Sequence, residues 1–377
     1  KFFEWLQNEG RPSMRKSILN RVVFALLDNM AWLLCLISLI VFSLLSDRFF
    51  TPRTLLNIIP RVAALGLLVI GQSFTMLTAH FDLSAEPALG LRAFFAALLI
   101  ASPELGGWGT MLPAWQTVCI MLSVGILIGT VNGFMVTKLK INNLVYTIAM
   151  LITLRGVPYL ISDSTSASQL GDAFDWLGGG KLFTIISEGK PIGVQVSMVF
   201  MILAFVVAHI ITRYTQFGRN IYAVGSNREA AEAAGIRPDR IIFAVYIISG
   251  FCSALAGWVL AGRMDSATMK TGFGWIFFIQ AAAIVGGVSL KGGRGNMIGA
   301  MGGVLLWGIL DTGLFIMMAS PWTIAAFRGG LLLLAVLLDA LKERYMHNRA
   351  LREQMAKTTI GLADKSFDVE TMKAKGT

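Results

Sequence analysis

The sequence predicts an all-α protein: a polytopic membrane helical bundle of about ten transmembrane helices. Three observations carry the prediction. Of the 377 residues, 55% are hydrophobic and only 14% are charged, whereas a soluble domain has about 25% charged residues. The mean hydropathy is +0.68, and the apolar residues are gathered into runs long enough to cross a bilayer. The net charge of +10 sits mostly in short segments between those runs. A basic soluble protein would suggest nucleic acid as partner. Lysine and arginine confined to loops between spans instead encode membrane topology, so the expected surroundings are lipid, not nucleic acid.

In chain order, residues 1–28 form a basic N-terminal segment in which Phe2, Phe3, Trp5 and Leu6 suit a surface helix. The basic Arg11–Arg21 region leads into a span without an early small-residue cleavage site, so no cleaved leader is expected. The transmembrane domain covers 29–340, with spans near 29–46, 58–78, 83–101, 111–136, 142–161, 192–211, 241–261, 275–289, 296–318 and 322–340. Glu86, Pro87 and Arg92 interrupt the third span. In the fourth, Gly125, Gly129 and Gly133 share one helix face, and small residues at that spacing let helices approach closely. Close packing is the first reading of that face and a substrate path the second. G-T-V-N-G (Gly129–Gly133) is weakly echoed by G-I-L-D-T-G (Gly308–Gly313), five spans later, as in transporters built from inverted repeats. The 163–190 loop is rich in serine and glycine, and 341–377 is a charged tail.

With the N-terminus inside, 22 of the 32 lysines and arginines fall on the internal side. That bias places both termini and the 212–240 loop in the cytoplasm. Within this loop, Gly218–Arg240 is the one long polar stretch between apolar runs. Ser226 or Asn227 can cap a helix, and Glu229 falls in its first turn, where the helix dipole favours an acid. Arg228–Ala234 are good helix formers, Gly235 suits a C-cap, and Pro238 forbids simple continuation. A helix this short is marginal alone in water, so it needs the membrane domain beneath it or a partner above it.

Several chemistries are excluded. Cys35, Cys119 and Cys252 lie singly inside apolar runs, and His80, His209 and His347 are far apart, which gives neither a disulfide framework nor a metal site. The chain has no phosphate-binding G-x-x-x-x-G-K-[ST], no nucleophile elbow and no H-E-x-x-H. K-G-G-R-G (Lys291–Gly295) is glycine-rich but has the wrong spacing. The chain is therefore read as no enzyme, with no metal and no bound cofactor. Charges at bilayer depth cost about 2.5–3.5 kcal/mol and tend to face a bundle interior or a wet cavity. Asp82, Glu86 and Asp311 are such residues, as are Arg61, Arg92, Arg155 and Arg328. The arginines read first as internal ion pairs or helix-end snorkels. D-L-S followed by E-P breaks a helix after T-A-H-F, and broken helices line substrate sites in transporters. Gln72 could hydrogen-bond a hydroxylated substrate or glue two helices. The pathway candidates are Gln72, Asp82, Ser84, Asn132 and Asp311.

Taken together, G-R-N-I-Y-A-V-G-S-N-R-E-A-A-E-A-A-G-I, A-I-V-G-G-V-S-L-K-G-G-R-G-N-M-I-G-A and L-D-T-G-L resemble the membrane permease of ribose-type ABC sugar importers. That family includes ribose, xylose and autoinducer-2 permeases. L-T-A-H-F-D-L-S and the L-R-G at Leu154–Gly156 belong to the same resemblance, which runs from about Phe50 to Ala340. The resemblance implies an ABC importer permease fold in a bacterial inner (plasma) membrane. It also implies a periplasmic sugar-binding protein, an ATPase pair that uses the ATP, and a second permease copy or paralogue. By the same resemblance Gly225–Ile236 is the helix that couples to the ATPase. Gly225, Asn227, Glu229, Ala230, Ala231, Gly235 and Ile236 are the residues expected to serve there. The chain departs from the family's G-G-I-D-L-S-V-G-S at Ala79–Pro87, and Thr312 stands where asparagine is common. These changes leave a polyol or another small carbohydrate as open as ribose. Two other readings stay open: a branched-chain amino-acid-type ABC permease, and an ion-driven secondary transporter working through Asp82, Glu86 or Asp311.

Overall fold

The computed structural model describes residues 29–187, 190–320 and 322–330, with isolated positions up to 344. The predicted segments 1–28 and 341–377 lie outside the described residues, Arg344 apart. Residues 29–333 form one compact unit, described here in chain order. Helix α1 (Met30–Leu45) leads to α2 (Pro52–Leu77), which starts where Thr51 Oγ1 accepts from the Thr54 amide and Pro52 takes the first position. The break after Leu77 falls at T-A-H-F-D-L-S, and α3 (Ala85–Ile100) starts only past it. Then come α4 (Ala114–Thr137) and α5 (Asn143–Ile161), the latter capped by Asn142.

The 163–190 region carries structure that the sequence reading took for loop. Strand β1 (Ser166–Ser168) precedes α6 (Asp172–Gly178), and β2 (Lys181–Ser187) pairs antiparallel with β3 (Lys190–Gln195). The β2 sequence K-L-F-T-I-I-S is rich in the β-branched and aromatic residues that favour strands. Because β3 occupies 190–195, the sixth span begins later than predicted, as α7 (Val196–Tyr214). Two short helices follow, α8 (Gln216–Ser226) and α9 (Arg228–Ala233), then α10 (Pro238–Met264). Strand β4 (Ser266–Thr268) pairs back onto β1. The predicted 275–289 span shrinks to α11 (Ile276–Val285), because Gly287 turns the chain at positive φ just after it. Helix α12 (Met297–Ile316), capped by Asn296, and a helical stretch at 322–330 complete the unit.

Among the described residues, six helices are long and apolar enough to cross a membrane: α2, α4, α5, α7, α10 and α12, with α1 and α11 as shorter apolar helices. The chain is a helical membrane protein in which the small sheets are accessories. Helices α2 and α10 pack on each other at the centre, α4 packs on α10, and α12 packs on α2. The glycine face of α4 is a packing face. A Cβ on Gly129 would sit 2.5 Å from the Tyr246 carbonyl oxygen, and one on Gly250 of α10 would sit 2.3 Å from that of Gly125. A substrate path along this face is therefore closed by backbone. The echoed segment in α12 is tight as well: a Cβ on Gly313 would sit 2.5 Å from the Phe42 ring of α1.

Candidate functional site

Three of the five pathway candidates meet where α2 breaks. After Leu77 the chain turns tightly, with the Ala79 amide bonded to Met76 O (2.9 Å) and the His80 amide to Thr75 O (3.0 Å). Ala79 sits at φ 61°, a left-handed position that costs an L-residue about 1–2 kcal/mol. The turn delivers Asp82, 1% exposed, into the protein interior. Asp82 Oδ1 accepts from the Ser84 amide (3.1 Å) and hydroxyl (2.6 Å), and Oδ2 accepts from Ser249 Oγ of α10 (2.7 Å). Asn132 of α4 donates through Nδ2 to Ser84 Oγ (2.8 Å), and its Oδ1 accepts from the Tyr146 hydroxyl of α5 (3.1 Å). The Phe81 carbonyl accepts from Tyr246 Oη (3.2 Å). Three helices, α4, α5 and α10, thus converge on one short segment.

Gln72 and Asp311 do not join this network. Gln72 is fully buried on α2, and neither amide atom has a protein partner. Such a group costs about 1–3 kcal/mol when left unsatisfied. Asp311 pairs with Arg328, whose guanidinium lies 5.0 Å from the Phe278 ring centroid and 5.9 Å from that of Trp307. The sequence reading missed Ser249, Tyr146, Tyr246 and the Arg92–Ser253 contact. Arg92 is 1% exposed and donates to Ser253 Oγ, which donates to the Ala85 carbonyl (2.5 Å). The available signal was Ser249 and Ser253 four residues apart, one helix turn, within an apolar helix.

The polar loop builds the second part of the site. Thr215 Oγ1 caps α8 by accepting from the Gly218 amide (3.1 Å). Asn227 Oδ1 caps α9 by accepting from the Ala230 amide (2.9 Å), as the sequence suggested. Gly235 closes α9 at φ +82°, with the Ile236 amide returning to Ala231 O (3.1 Å). Asn227, Glu229, Ala230 and Gly235 are exposed. Ala231 is buried beside Val136, Val224, Ile242 and Tyr246, and half-buried Ile236 packs against the same group. These two anchor α9 to the domain and do not present a docking face. Gly225, expected to share one helix with Asn227–Ile236, lies in α8, ahead of the break at Asn227. A Cβ there would stand 1.8 Å from the Leu77 carbonyl oxygen.

K-G-G-R-G is a structural clasp. Its glycines at 292, 293 and 295 all take positive φ. The Gly293 amide donates to Leu77 O (2.9 Å), and the Gly295 carbonyl accepts from Tyr222 Oη of α8 (2.8 Å). The end of α2, the end of α8 and the 291–295 loop therefore touch. Arg228 and Lys140 both pair with Asp239 (2.5 and 2.6 Å), tying α9 to the 138–140 turn. These pairs are exposed and worth at most about 1 kcal/mol each. His80, half-buried with its ring edge-on to Tyr246, donates through Nδ1–H to Thr78 O (2.7 Å). Burial pushes its imidazole below the ordinary value, the Thr78 carbonyl opposes that, and the Arg228 charge adds to the lowering.

A family model described as branched-chain amino acid transport system / permease component matches residues 54–336. The ribose import permease protein RbsC of Bacillus subtilis (strain 168) is 33% identical over 306 residues, covering 81% of this chain and 90% of its own. RbsC of Escherichia coli (strain K12) is 30% identical over 322 residues, covering 84% and 95%. The L-arabinose transport system permease protein AraH of the same strain is 31% identical over 279 residues, covering 74% and 80%. No solved structure matches the chain.

Proposed function

This chain belongs to the branched-chain amino acid transport system / permease component family, and from that premise we propose that it is the membrane permease subunit of an ATP-driven carbohydrate importer. The substrate class follows the relatives, which are named for ribose and L-arabinose import. An amino-acid permease is not favoured. The ion-driven alternative is weakened by the acids themselves: Asp82 is held by neutral donors, while Glu86 and Asp311 are each paired with an arginine.

One observation carries the mechanism: a capped, exposed α9 joined through α8 and the 291–295 loop to the segment bearing Asp82. On this reading α9 faces the cytoplasm and docks on an ABC ATPase, which uses the ATP, and both termini lie on that side. A periplasmic binding protein delivers the sugar, and a second copy or a paralogue completes the pathway. Asn227, Glu229, Ala230 and Gly235 form the docking face. When ATP closes the ATPase pair, α9 and α8 shift, and the clasp at Leu77 passes the movement to residues 78–84. The Asp82–Ser84–Asn132 network then opens and exposes hydroxyl-binding groups, and Gln72 supplies a further polar group on α2. Asp311 lines a separate part of the path. In the present structure the network is buried and Asp82 has both oxygens bonded, which is a closed arrangement. A sugar shifts this equilibrium only by its different affinity for the two states, so the internal site is expected to be weak.

The test is uptake into vesicles of labelled pentoses, hexoses and polyols, with the permease co-expressed with its genomic-neighbour ATPase and binding protein. ATP-dependent accumulation of a sugar that needs all three components is the expected result. Uptake by the permease alone, abolished by a protonophore, would overturn it.

A further inference from the structure

The two strands of the 181–195 hairpin differ in what covers them. In β3, Ile192 and Val194 are buried, and the strand packs on α2 and α7. In β2, K-L-F-T-I-I-S, the side chains of Leu182, Phe183, Ile185 and Ile186 are 44–78% exposed. Among the described residues β2 pairs with β3 alone, so its other edge also faces outward. An apolar edge strand left bare is a template for aggregation. Something covers β2 in the working protein.

The depth of the hairpin is set by α7. No residue separates β3 from that helix, and the Val196 amide at its start donates to the Gly180 carbonyl just before β2 (2.9 Å). The exposed side chains of α7 include Val199, Leu203, Val206, Val207 and Ile210, an apolar stripe that suits lipid. Its 19 residues rise about 28 Å at about 1.5 Å each, against a hydrocarbon core about 30 Å thick. When α7 spans the core, its first residue lies at the core's edge and the hairpin lies at the level of the head groups. This is the end of α7 opposite to α8 and α9. Exposed tryptophans mark the same level. Trp176 stands on α6, shortly before β2, and Trp115 follows Ala114, whose Cβ faces Gly171 of the same region. Tryptophan favours membrane interfaces.

The pattern on β2 selects the occupant. Successive strand residues point to opposite faces, so Phe183 and Ile186 lie on different sides, and both are exposed. A rigid protein surface covers one face of a strand, whereas a fluid layer wraps both. Surfaces for partners that come and go are no more apolar than the rest of a protein's exterior, and this strand is far richer. The free edge of β2 keeps it out of the hydrocarbon itself, where open sheet edges are not tolerated. In the head-group layer water and phosphates satisfy that edge, the apolar side chains reach the acyl boundary, and exposed Lys181 extends to the phosphates. We infer that the 181–195 hairpin is a lipid-surface anchor: β2 lies in the head-group layer of the leaflet remote from α9, with the bilayer as its partner. Because β3 packs on α2 and α7, the anchor fixes the depth of those two helices at the end away from the 291–295 clasp.

The test places a fluorescent label on full-length permease, assembled with its ATPase in nanodiscs of phosphatidylethanolamine and phosphatidylglycerol. Cys119→Ala removes the exposed native thiol, since Cys35 and Cys252 are buried. Phe183→Cys and Ile186→Cys then carry an environment-sensitive dye on the two faces of β2, and neither change touches the core. Glu104→Cys is the solvent reference, in the exposed 103–105 turn that lies against β1. Both β2 labels are expected to emit at shorter wavelength than the label at 104. Nitroxide-bearing head groups should quench both, and dissolved iodide should quench only the label at 104. This pattern is expected without the binding protein. Iodide quenching at 183 or 186 equal to that at 104 overturns the anchor. So does shielding of one face with the other open to iodide, which a rigid partner would produce. A disulfide between copies of unlabelled Ile186→Cys, or shielding that begins only when the binding protein is added, likewise overturns it and assigns the strand to that protein.

Discussion

Gly225→Ala tests whether the clasp transmits movement from α9, the proposed docking helix. The added Cβ would stand 1.8 Å from the Leu77 carbonyl oxygen and 2.7 Å from the Gly293 amide nitrogen. A relaxed carbon-to-oxygen contact is about 3.3–3.6 Å, so α8 must retreat by about 1.5 Å or Leu77 must yield. Both neighbours are backbone, and together they form the 2.9 Å bond that closes the clasp. Overpacking costs about 1–3 kcal/mol and a lost hydrogen bond about 0.5–1.5 kcal/mol, so the variant is expected to lose about 2–4 kcal/mol. Scanning fluorimetry of the assembled transporter should show a melting temperature lower by roughly 5–10 °C. Sugar moved per ATP hydrolysed should also fall, because α8 no longer grips the end of α2. Gly156→Ala is the control: nothing lies within 4 Å of its Cβ, and alanine is the better helix former by up to about 1 kcal/mol. Gly225→Ala with wild-type stability and wild-type sugar per ATP would refute the clasp.

Three further outcomes are expected. Asp82→Asn keeps the acceptor for Ser84 but puts an amide against the Ser249 hydroxyl; uptake should fall by roughly tenfold with the assembled amount unchanged, whereas loss of the assembled protein would make Asp82 purely structural. Ala231→Trp, at a buried position, should prevent assembly, while Ala230→Trp on the exposed face should leave a folded permease that no longer retains the ATPase in pull-downs; identical behaviour of the two would sink the assigned faces of α9. His80 has its folded pKa lowered from 6.5 by burial, so the unfolded chain takes up the proton first. Its contribution to stability is full above pH 6.5 and declines as the pH drops below that value. His80→Gln should flatten this decline in melting experiments between pH 8 and pH 5, and an unchanged slope would exclude His80 as its source.

How much of this was legible in the sequence depended on the range of the interaction. The α9 boundaries were readable because capping is local: Asn227 three residues before Ala230, and glycine where the chain must turn left-handed. The glycine face of α4 was readable because close packing demands small residues at helical spacing. Asp82, Ser84 and Asn132 were singled out as polar groups in apolar surroundings, and the structure brings them together. Their partners were not legible, since Ser249 lies 167 residues from Asp82 and makes an unremarkable i+4 pair with Ser253. Gly225 was misplaced for the same reason. Its neighbour in space is Leu77, and nothing near Gly225 in sequence says so. The 181–195 hairpin was missed because a long polar loop was expected, although its β-branched residues carried the signal.

The departure at Ala79–Pro87 gains a physical meaning from the same geometry. The family pattern suggested by resemblance has glycines around D-L-S, and this chain keeps a left-handed turn there with alanine at φ 61°. The clasp can hold that strain, because Gly292 and Gly293 bring the 291–295 loop directly against Ala79 and Leu77. Residues 78–84 are thus gripped on one side by the 291–295 loop, which also touches the end of α8. On the other side they are gripped by hydroxyl and amide groups from α4, α5 and α10. Hydroxyls can exchange one acceptor for another with little reorganisation, whereas an arginine clamped on Asp82 could not. On the proposed mechanism, a segment fixed at one end by backbone and at the other by exchangeable hydroxyls moves when the backbone end moves, and releases hydroxyl and amide groups of the kind that bind a sugar.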